Sequence, residues 1–339
     1  MIKQVPLFAA HTTVFSKCVE MLEQVDGERP NLLRVVTYHR VDEPRAHPAL
    51  SPRVTVTPRV FDQHMSHLAA NYHVVAMPEL LEACRSGTPL PPRSVLVTFD
   101  DAYRDFAEHA WPILKRHQLP VTLFVPTAFP DHPERAFWWD RLYQAVSHTP
   151  PDDLVRLLRR LSLPPDDRRG RAFSRLRDYV KTLPHVQAMA FVDWICKQLD
   201  APAPQHSVLS WNELRQLARE GVTLGAHTRT HPLMNRISPE EARDEAVGAL
   251  RDLEREIGSA LPIFAYPSGG YDGTVTQLLK REGFALAFTT MRGINDLRDA
   301  DRLQLGRINV GRRTTLTILR AQLLPWMVHL RRWQPRVSV

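Results

Sequence analysis

The feature that most restricts the fold of this 339-residue chain is a repeated alternation of short β-rich runs with segments of helical periodicity. The strand-like runs are LLRVVTYHRV, HVVAM, SVLVTFDD, VTLFVPT, VTLGAHT, IFAYPSGG, FALAFTT and LQLGRINV, and helical patterns follow most of them. Such an alternation is typical of parallel sheets, because each helix returns the chain to the same edge. We therefore predict an α/β protein whose strand ends gather on one face.

The alternation stops between residues 137 and 205. This segment has four runs with apolar residues at helical spacing, separated by Pro-rich breaks, and it predicts an all-helical insertion over the barrel or sheet. The predicted organisation is an N-terminal extension, a core in two pieces, the insertion, and a C-terminal amphipathic basic helix. The boundaries are 1–31 for the extension, 32–136 and 206–312 for the core, 137–205 for the insertion and 313–339 for the last helix.

Composition and charge restrict the classes of partner and the kinds of site that we expect. Six of the 44 basic residues are Lys and the other 38 are Arg, and the net charge is +7. The basic residues are mixed with Asp and Glu and lack aromatic interleaving, so nucleic-acid binding is not expected. Cys18, Cys84 and Cys196 are far apart, which argues against a disulfide framework and a Cys-based zinc site.

The N-terminal region does not resemble a signal peptide, because Pro6, His11 and Lys17 interrupt its apolar residues. No run approaches the ~20 apolar residues that a membrane span needs. We expect a cytoplasmic location. The basic C-terminal helix is expected to cover the sheet, with peripheral attachment to the inner membrane face as the alternative. The sequence does not indicate an oligomeric state.

Two pairs of residues stand where strand-like runs end. Asp100 and Asp101 are adjacent carboxylates, which are costly in a partly buried place unless a cation lies beside them. The alternative is that one carboxylate caps the next helix while the other faces solvent. His227 and His231 are four residues apart, a spacing that can present two imidazoles to one metal. Two nitrogens and one carboxylate oxygen make a catalytic zinc-type ligand set, with one position left for water.

Three motifs in this order resemble those of the polysaccharide deacetylases, the NodB-homology group of carbohydrate esterase family four. Thr98-Phe-Asp-Asp-Ala-Tyr103 resembles the Thr-Phe-Asp-Asp-Gly motif, and His227-Thr-Arg-Thr-His231-Pro232 resembles the His-Ser/Thr-x-x-His-Pro motif. Phe264-Ala-Tyr-Pro-Ser-Gly269 is similar to the looser third motif. The resemblance covers roughly residues 34–310 without the insertion. It implies a distorted (β/α) barrel and metal-dependent removal of N-acetyl groups from a glycan or lipid-linked precursor, as in exopolysaccharide or cell-envelope synthesis.

The resemblance also implies a division of labour. Asp101, His227 and His231 would bind a divalent metal, expected to be Zn²⁺, and Asp100 would be the general base. Such a metal lowers the pKa of a water to about 7 and polarises the acetyl carbonyl. The backbone N–H of Ser268 would donate to the oxyanion, and a backbone donor does not depend on the side chain.

Two family residues are missing here. Ala265 stands where the third motif usually has an Arg that orients the base, and Arg307 is the candidate replacement. LQLGRINV also lacks the His of the late motif that supplies the general acid. His39 is the candidate acid, because Tyr-His-Arg at 38–40 resembles the N-terminal motif of a permuted branch and ends a strand. The alternative is a packed histidine. Ala102 replaces the usual Gly, so we predict that its backbone needs no conformation reserved for Gly.

Substrate contacts and rival functions complete the prediction. Tyr103, Tyr266 and Trp139 are candidate substrate contacts, with core packing as the alternative for Trp139. One rival is an O-acetyl esterase or an amidase for a small non-sugar amide, which would share the metal site. Another is a glycan-binding module without catalysis, which the missing Arg and displaced acid would fit and the intact metal motifs would not.

Overall fold

A computed structural model of the chain describes residues 13–25, 29–43, 52–132, 134–201, 204–205 and 207–325. The strands are β1 Leu32–Tyr38, β2 Arg40–Val41, β3 Thr55–Val56, β4 His73–Val74, β5 Ser94–Asp100, β6 Thr122–Val125, β7 Thr223–Ala226, β8 Ile263–Ala265, β9 Leu286–Phe288, β10 Asn295–Asp296 and β11 Ile308–Asn309. The helices are α1 Thr13–Val25, α2 Pro58–Asn71, α3 Met77–Ser86, α4 Trp111–Arg116, α5 Trp138–His148, α6 Pro151–Arg160, α7 Arg169–Val180, α8 His185–Gln198, α9 Trp211–Arg219, α10 Pro239–Ile257, α11 Gly273–Arg281 and α12 Leu316–Leu323. Within the described ranges, no helix is both long and apolar enough to cross a membrane.

The parallel strands form one curled sheet in the order β1, β5, β6, β7, β8, β9. Beyond β9, Leu305 bridges Phe288 in parallel, and β11 pairs in parallel with β1 through Ile308 and Val36. The segment 305–309 therefore joins the two ends of the series. This arrangement confirms the predicted distorted (β/α) barrel.

Strand alternation separates an inner from an outer layer. In β5, Val95, Val97 and Phe99 belong to the large cluster that packs against the surrounding helices, whereas Leu96 belongs to the smaller inner cluster. Successive side chains point to opposite faces of a strand, so Asp100 shares the inner face with Leu96. Leu305 is also in the inner cluster, so Arg307, two residues later, lies on the same inner face.

The region predicted to be an insertion consists of α5, α6, α7 and α8, which share a hydrophobic cluster of their own. That cluster is formed by Leu142, Ala145, Val146, Leu154, Leu157, Leu158, Ala172, Phe173, Leu176, Val180, Ala188, Val192, Ile195 and Cys196. A separate cluster of this kind is what a helical unit lying outside the barrel requires. The domain boundaries stay a prediction.

The last described helix, α12, covers the outside of the barrel. Arg34 on β1 donates from Nε to the carbonyl of Leu323 at 2.6 Å, and Arg320 pairs with Glu23 on α1. These contacts tie the two ends of the described chain together. Residues 326–339, the larger part of the predicted C-terminal basic helix, lie outside the described residues.

Candidate active site

The carboxyl edge of the parallel sheet brings together most of the predicted site residues. Asp100 is the last residue of β5 and Asp101 follows it, while His39 follows β1 and His227 follows β7. Because parallel strands end at the same edge, these side chains converge although up to 188 positions separate them in the sequence. Arg307 reaches the same place from the segment that closes the barrel.

Asp101, His227 and His231 form a compact group. Oδ1 of Asp101 lies 3.4 Å from Nε2 of His227 and 3.3 Å from Nε2 of His231, and all three residues are buried. Nδ1 of His227 is 2.7 Å from the carbonyl of Ala265, to which it donates. That bond fixes the tautomer and leaves the Nε2 lone pair directed at the group.

These three residues fit a divalent metal. Separations of 3.3 and 3.4 Å are long for charge-assisted hydrogen bonds, which are about 2.7–2.9 Å. They match the edge of a tetrahedron with metal–ligand bonds of ~2.0–2.1 Å, which is about 3.3–3.4 Å. Oδ1 of Asp101 is also buried without a hydrogen-bond partner in the described part of the chain. Burial raises the pKa of Asp101, but His227 and His231 lower it overall, so the carboxylate is charged as a ligand must be.

The backbone around the ligands is unusual. Asp101, Ala102, Thr228 and His231 all have positive φ, at 75°, 52°, 63° and 62°. The prediction that Ala102 needs no Gly-type conformation is therefore wrong. The chain turns sharply after β5, and the Ala102 carbonyl is fixed there by the N–H of Leu209 at 3.0 Å. Left-handed non-Gly residues cost about 1–3 kcal/mol each and persist where surrounding contacts enforce them.

Asp100 is paired with Arg307 rather than with His227 or His231. Nη1 and Nη2 of Arg307 donate to the two carboxylate oxygens at 2.8 and 2.7 Å, and Nε donates to the Thr289 carbonyl at 2.8 Å. Burial raises the pKa of Asp100, but the Arg307 guanidinium lowers it overall. Nε2 of His39 lies 4.0 Å from Oδ2 of Asp100, and its side chain is 22% exposed. Asp100 is thus charged and rigidly oriented, with a solvent-accessible histidine beside it.

Ser268 stands in a tight turn, Pro267–Gly269, that follows β8. Its φ is 50°, and its exposed side-chain oxygen accepts a hydrogen bond from Nζ of Lys181 at 3.2 Å. Lys181 follows α7, so the turn that carries the predicted oxyanion donor contacts the helical region. Sequence reasoning did not identify Lys181, since no local motif marks it; its one signal is that it is among only six Lys.

The predicted aromatic contacts divide into two groups. Trp139 is partly exposed, and its ring lies 4.6 Å from that of His231. Tyr103 is 1% exposed and donates from its hydroxyl to Asp140 at 2.5 Å, while Tyr266 is fully buried and donates to the Leu303 carbonyl at 2.9 Å. The rings of Tyr103 and Tyr266 thus lie in the interior, whereas Trp139 is partly exposed. Contact of these three residues with the substrate stays a prediction.

Comparisons with known proteins give one family model and several similar proteins. The family model described as polysaccharide deacetylase matches residues 87–160 and 170–287. YxkH of Bacillus subtilis (strain 168), named as a polysaccharide deacetylase, is 18% identical over 287 residues, covering 84% of this chain and 74% of that protein. The poly-beta-1,6-N-acetyl-D-glucosamine N-deacetylase of Escherichia coli (strain K12) is 30% identical over 103 residues, covering 29% of this chain and only 15% of that protein. The deacetylase PplD of Streptococcus pyogenes, solved with acetate, has a TM-score of 0.59 at 20% identity and covers 88% of this chain and 100% of that one; it shares the fold.

Proposed function

This chain belongs to the polysaccharide deacetylase family, and we propose that it hydrolyses N-acetyl groups on a glycan or lipid-linked glycan precursor with a divalent metal as cofactor. The observation that carries the proposal is the separation of the two adjacent carboxylates. Asp101 points to two imidazoles at 3.3–3.4 Å, whereas both carboxylate oxygens of Asp100 accept hydrogen bonds from Arg307. We therefore assign Asp101 as a metal ligand and Asp100 as the group that accepts a proton.

The residues around this pair supply the remaining steps of amide hydrolysis. A metal held by Asp101, His227 and His231 would make a water more acidic and polarise the acetyl carbonyl. Asp100 accepts the proton that the water loses as its oxygen adds to the carbonyl carbon. The backbone N–H of Ser268 donates to the oxyanion, and His39 protonates the amine as the C–N bond breaks, releasing acetate.

Two further points support this reaction over its rivals. An amine needs a proton to leave at neutral pH, and His39 lies 4.0 Å from the base that must lose one. The name of the E. coli relative also specifies an N-deacetylase that acts on poly-N-acetylglucosamine. We propose zinc as the metal, because two imidazoles and one carboxylate with an open position are typical catalytic zinc ligands.

The test is acetate release from matched N-acetylated and O-acetylated oligosaccharides, with and without chelator, alongside metal analysis. Asp101→Ala should lose bound metal and turnover together, whereas Asp100→Asn should keep the metal and lose turnover. His39→Ala should lower kcat at least tenfold, as expected for a general acid. Asp299→Asn, an exposed carboxylate elsewhere, is the matched control.

Each outcome decides a separate point. Acetate release only from O-acetylated substrates would make the protein an esterase. Stoichiometric metal without acetate from any substrate would favour a binding module. Full metal retention in Asp101→Ala would overturn the ligand assignment, and wild-type turnover in Asp100→Asn would overturn the base.

A further inference from the structure

A group of basic side chains lies beside the candidate active site and plays no part in the reaction above. It consists of Arg53, Arg177, Lys181 and Arg313, which we call the basic cluster. Burial and then the neighbouring Arg177 lower the pKa of Lys181, and burial followed by Arg177 and Arg313 lower the pKa of Arg53. Contacts also place the four residues together: Arg53 donates to Ser174 on α7, three residues before Arg177, and Lys181 directly follows this helix. The N–H of Arg312, next to Arg313, donates to the carbonyl of Arg53 at 3.3 Å.

Few negative charges offset the positive charge of the basic cluster. Asp178 accepts from Nε of Arg177 at 2.8 Å, and in the ranges that the structure describes it is the only carboxylate within ion-pair distance of any of the four. Arg53 donates to the hydroxyl of Ser174 at 2.7 Å, and Lys181 donates to that of Ser268. Two hydroxyls and one carboxylate leave a surplus of positive charge at this point of the surface.

The position of the cluster connects it to the reacting groups. Arg53 precedes β3, Arg177 lies on α7, and Arg313 follows β11, so the cluster lies across the junction between the barrel and the helical region. Lys181 also lines a pocket whose wall includes His231, one of the three candidate metal ligands. A group bound at Lys181 would therefore lie close to a candidate metal ligand.

One further lining residue, Arg236, extends the positive charge into this pocket. Burial lowers the pKa of the other, His185, which favours its neutral form. His185 and Arg236 line it with Lys181, and its lining contains no Asp or Glu. Arg236 has no hydrogen bond or ion pair to a side chain within the described ranges. Clefts lined by one sign of charge raise the local concentration of ligands of the opposite sign.

We infer that the basic cluster binds an anionic oxygen group, a phosphate or a carboxylate, that the substrate carries next to its acetylated sugar. This inference rests on the proposed function and adds the class of glycan that the site selects. Arg and Lys are the usual partners of both groups, because each donates charge-assisted hydrogen bonds to their oxygens. A neighbouring sugar that has already lost its acetyl group carries an ammonium, which the same cluster repels.

The first experiment compares kcat/KM for three oligosaccharides of equal length that differ beside the acetylated unit: one neutral, one with a phosphate and one with a glucuronate. We expect the wild-type protein to prefer an anionic substrate at least tenfold, mainly through KM. Lys181→Met and Arg177→Gln should each lower the ratio of anionic to neutral kcat/KM about tenfold, the loss of one charge-assisted hydrogen bond. Lys181→Arg should restore most of the ratio.

The control and the deciding outcomes follow from the same ratio. Lys280→Met removes an exposed Lys from the far end of α11 and should leave the ratio unchanged. A ratio near one in the wild-type protein overturns the inference, as does a Lys181→Met variant that loses activity on all three substrates in the same proportion. Preference for phosphate over glucuronate, or the reverse, identifies which anion the cluster selects.

A binding measurement separates this inference from the proposed function. N-acetylglucosamine 1-phosphate and N-acetylglucosamine are titrated into the wild-type protein and Lys181→Met at two salt concentrations. We expect tighter binding of the phosphate sugar, weakened about tenfold by the substitution and by added salt. Equal affinities would overturn the inference even if acetate is released, whereas a retained difference without acetate release would count against the proposed function alone.

Discussion

At the scale of single residues, the contact between Arg307 and Asp100 joins two distant parts of the chain. Ala265 occupies the motif position where an orienting Arg was expected, and the Arg307 guanidinium holds both oxygens of Asp100 instead. A planar fork of this kind fixes the carboxylate in one orientation. Asp100 and Arg307 are 207 positions apart in the sequence, and they meet because the segment 305–309 closes the barrel.

Replacing Arg307 with Met should therefore impair the proposed base. Burial raises the pKa of Asp100, but Arg307 lowers this pKa overall. Without the guanidinium, burial raises that pKa, so the carboxylate stays protonated up to a higher pH. We expect kcat to fall at least tenfold at neutral pH, and the acidic limb of the kcat/KM profile to move to higher pH.

The measurement is a pH–rate profile on the best substrate, with metal content determined in parallel. Metal content should stay at the wild-type level, since Arg307 bonds to Asp100 and Thr289 and not to the candidate ligands. Arg302→Met, which removes an exposed Arg nearby in sequence, is the control. An unshifted profile in the Arg307 variant would show that the pair does not set the ionisation of the base.

Prediction from sequence succeeded for residues whose position depends on strand ends and failed where it depends on backbone conformation. Asp101 and His227 could be placed together because each follows a strand-like run, and parallel strands end at one edge. The φ of 52° at Ala102 could not be predicted, since a turn fixed by Leu209 imposes it on a residue that would otherwise avoid it. Burial of Tyr266 likewise depends on Leu303, which is distant in sequence.

At the scale of elements, the helical region is attached to the barrel through a buried polar contact. Tyr103, two residues after Asp101, donates to Asp140 on α5 at 2.5 Å and accepts from Nε1 of Trp139 at 2.9 Å. The Trp139 ring stacks on Phe137 with centroids 4.5 Å apart. The start of α5 is thereby fixed beside His231, with the Trp139 and His231 rings 4.6 Å apart, so the helical region forms one wall of the candidate site.

Tyr103→Phe tests this attachment. The substitution removes one hydroxyl while keeping the buried ring, and Asp140, which is 1% exposed, loses a donor. An incompletely satisfied buried group costs about 1–3 kcal/mol, so the free energy of unfolding should fall by about that amount in denaturant titrations. Metal content should not change.

The control is a second tyrosine whose hydroxyl makes weaker contacts. Tyr271→Phe removes a hydroxyl that approaches Met291 Sδ and Gln304 Oε1 only at 3.4 Å each. We expect less destabilisation than for Tyr103→Phe. Equal stability of both variants would mean that the Tyr103–Asp140 contact does not hold the helical region in place.

Helix ends were predictable from local chemistry, whereas contacts between elements were not. Helix α10 begins after Ser238 with Pro239 and a capping-box Glu241, and α3 ends at Gly87 with a φ of 76°, as the sequence indicates. Between β5 and β6 the chain forms a π-helical turn at Phe106–Ala110 and continues as α4. The neighbouring Tyr103 is held by Asp140, a partner that no local pattern identifies.

At the scale of the whole molecule, the barrel depends on one short segment and on the helices packed outside it. The segment 305–309 bonds to β9 on one side and β1 on the other, so it completes the layer that carries Arg307. Outside β1, α2 contributes Phe61, Met65 and Leu68 to the large cluster. The alternation of elements predicts this architecture, but it does not predict which segment closes the barrel.

The packing of α2 gives a prediction for the pH dependence of global stability. His64 on α2 has no exposed surface, and its Nδ1 lies 3.1 Å from the hydroxyl of Tyr38 on β1. Burial lowers the pKa of His64 to about 4. In the unfolded chain the same group titrates near 6.5, so between about pH 6.5 and 4 the unfolded state binds a proton that the folded state does not.

The contribution of His64 to the free energy of unfolding should therefore be fully present above about pH 6.5. It should be lost as the pH drops toward 4, which lowers the free energy of unfolding by ~3 kcal/mol. Urea titrations across this range measure the slope. His64→Gln keeps a polar side chain that does not titrate, and its slope should be shallower by that amount. His148→Gln, which removes an exposed histidine, should leave the slope unchanged. Identical slopes for the wild-type protein and His64→Gln would show that His64 is protonated in the folded barrel, and the neutral packing of α2 against β1 would have to be abandoned.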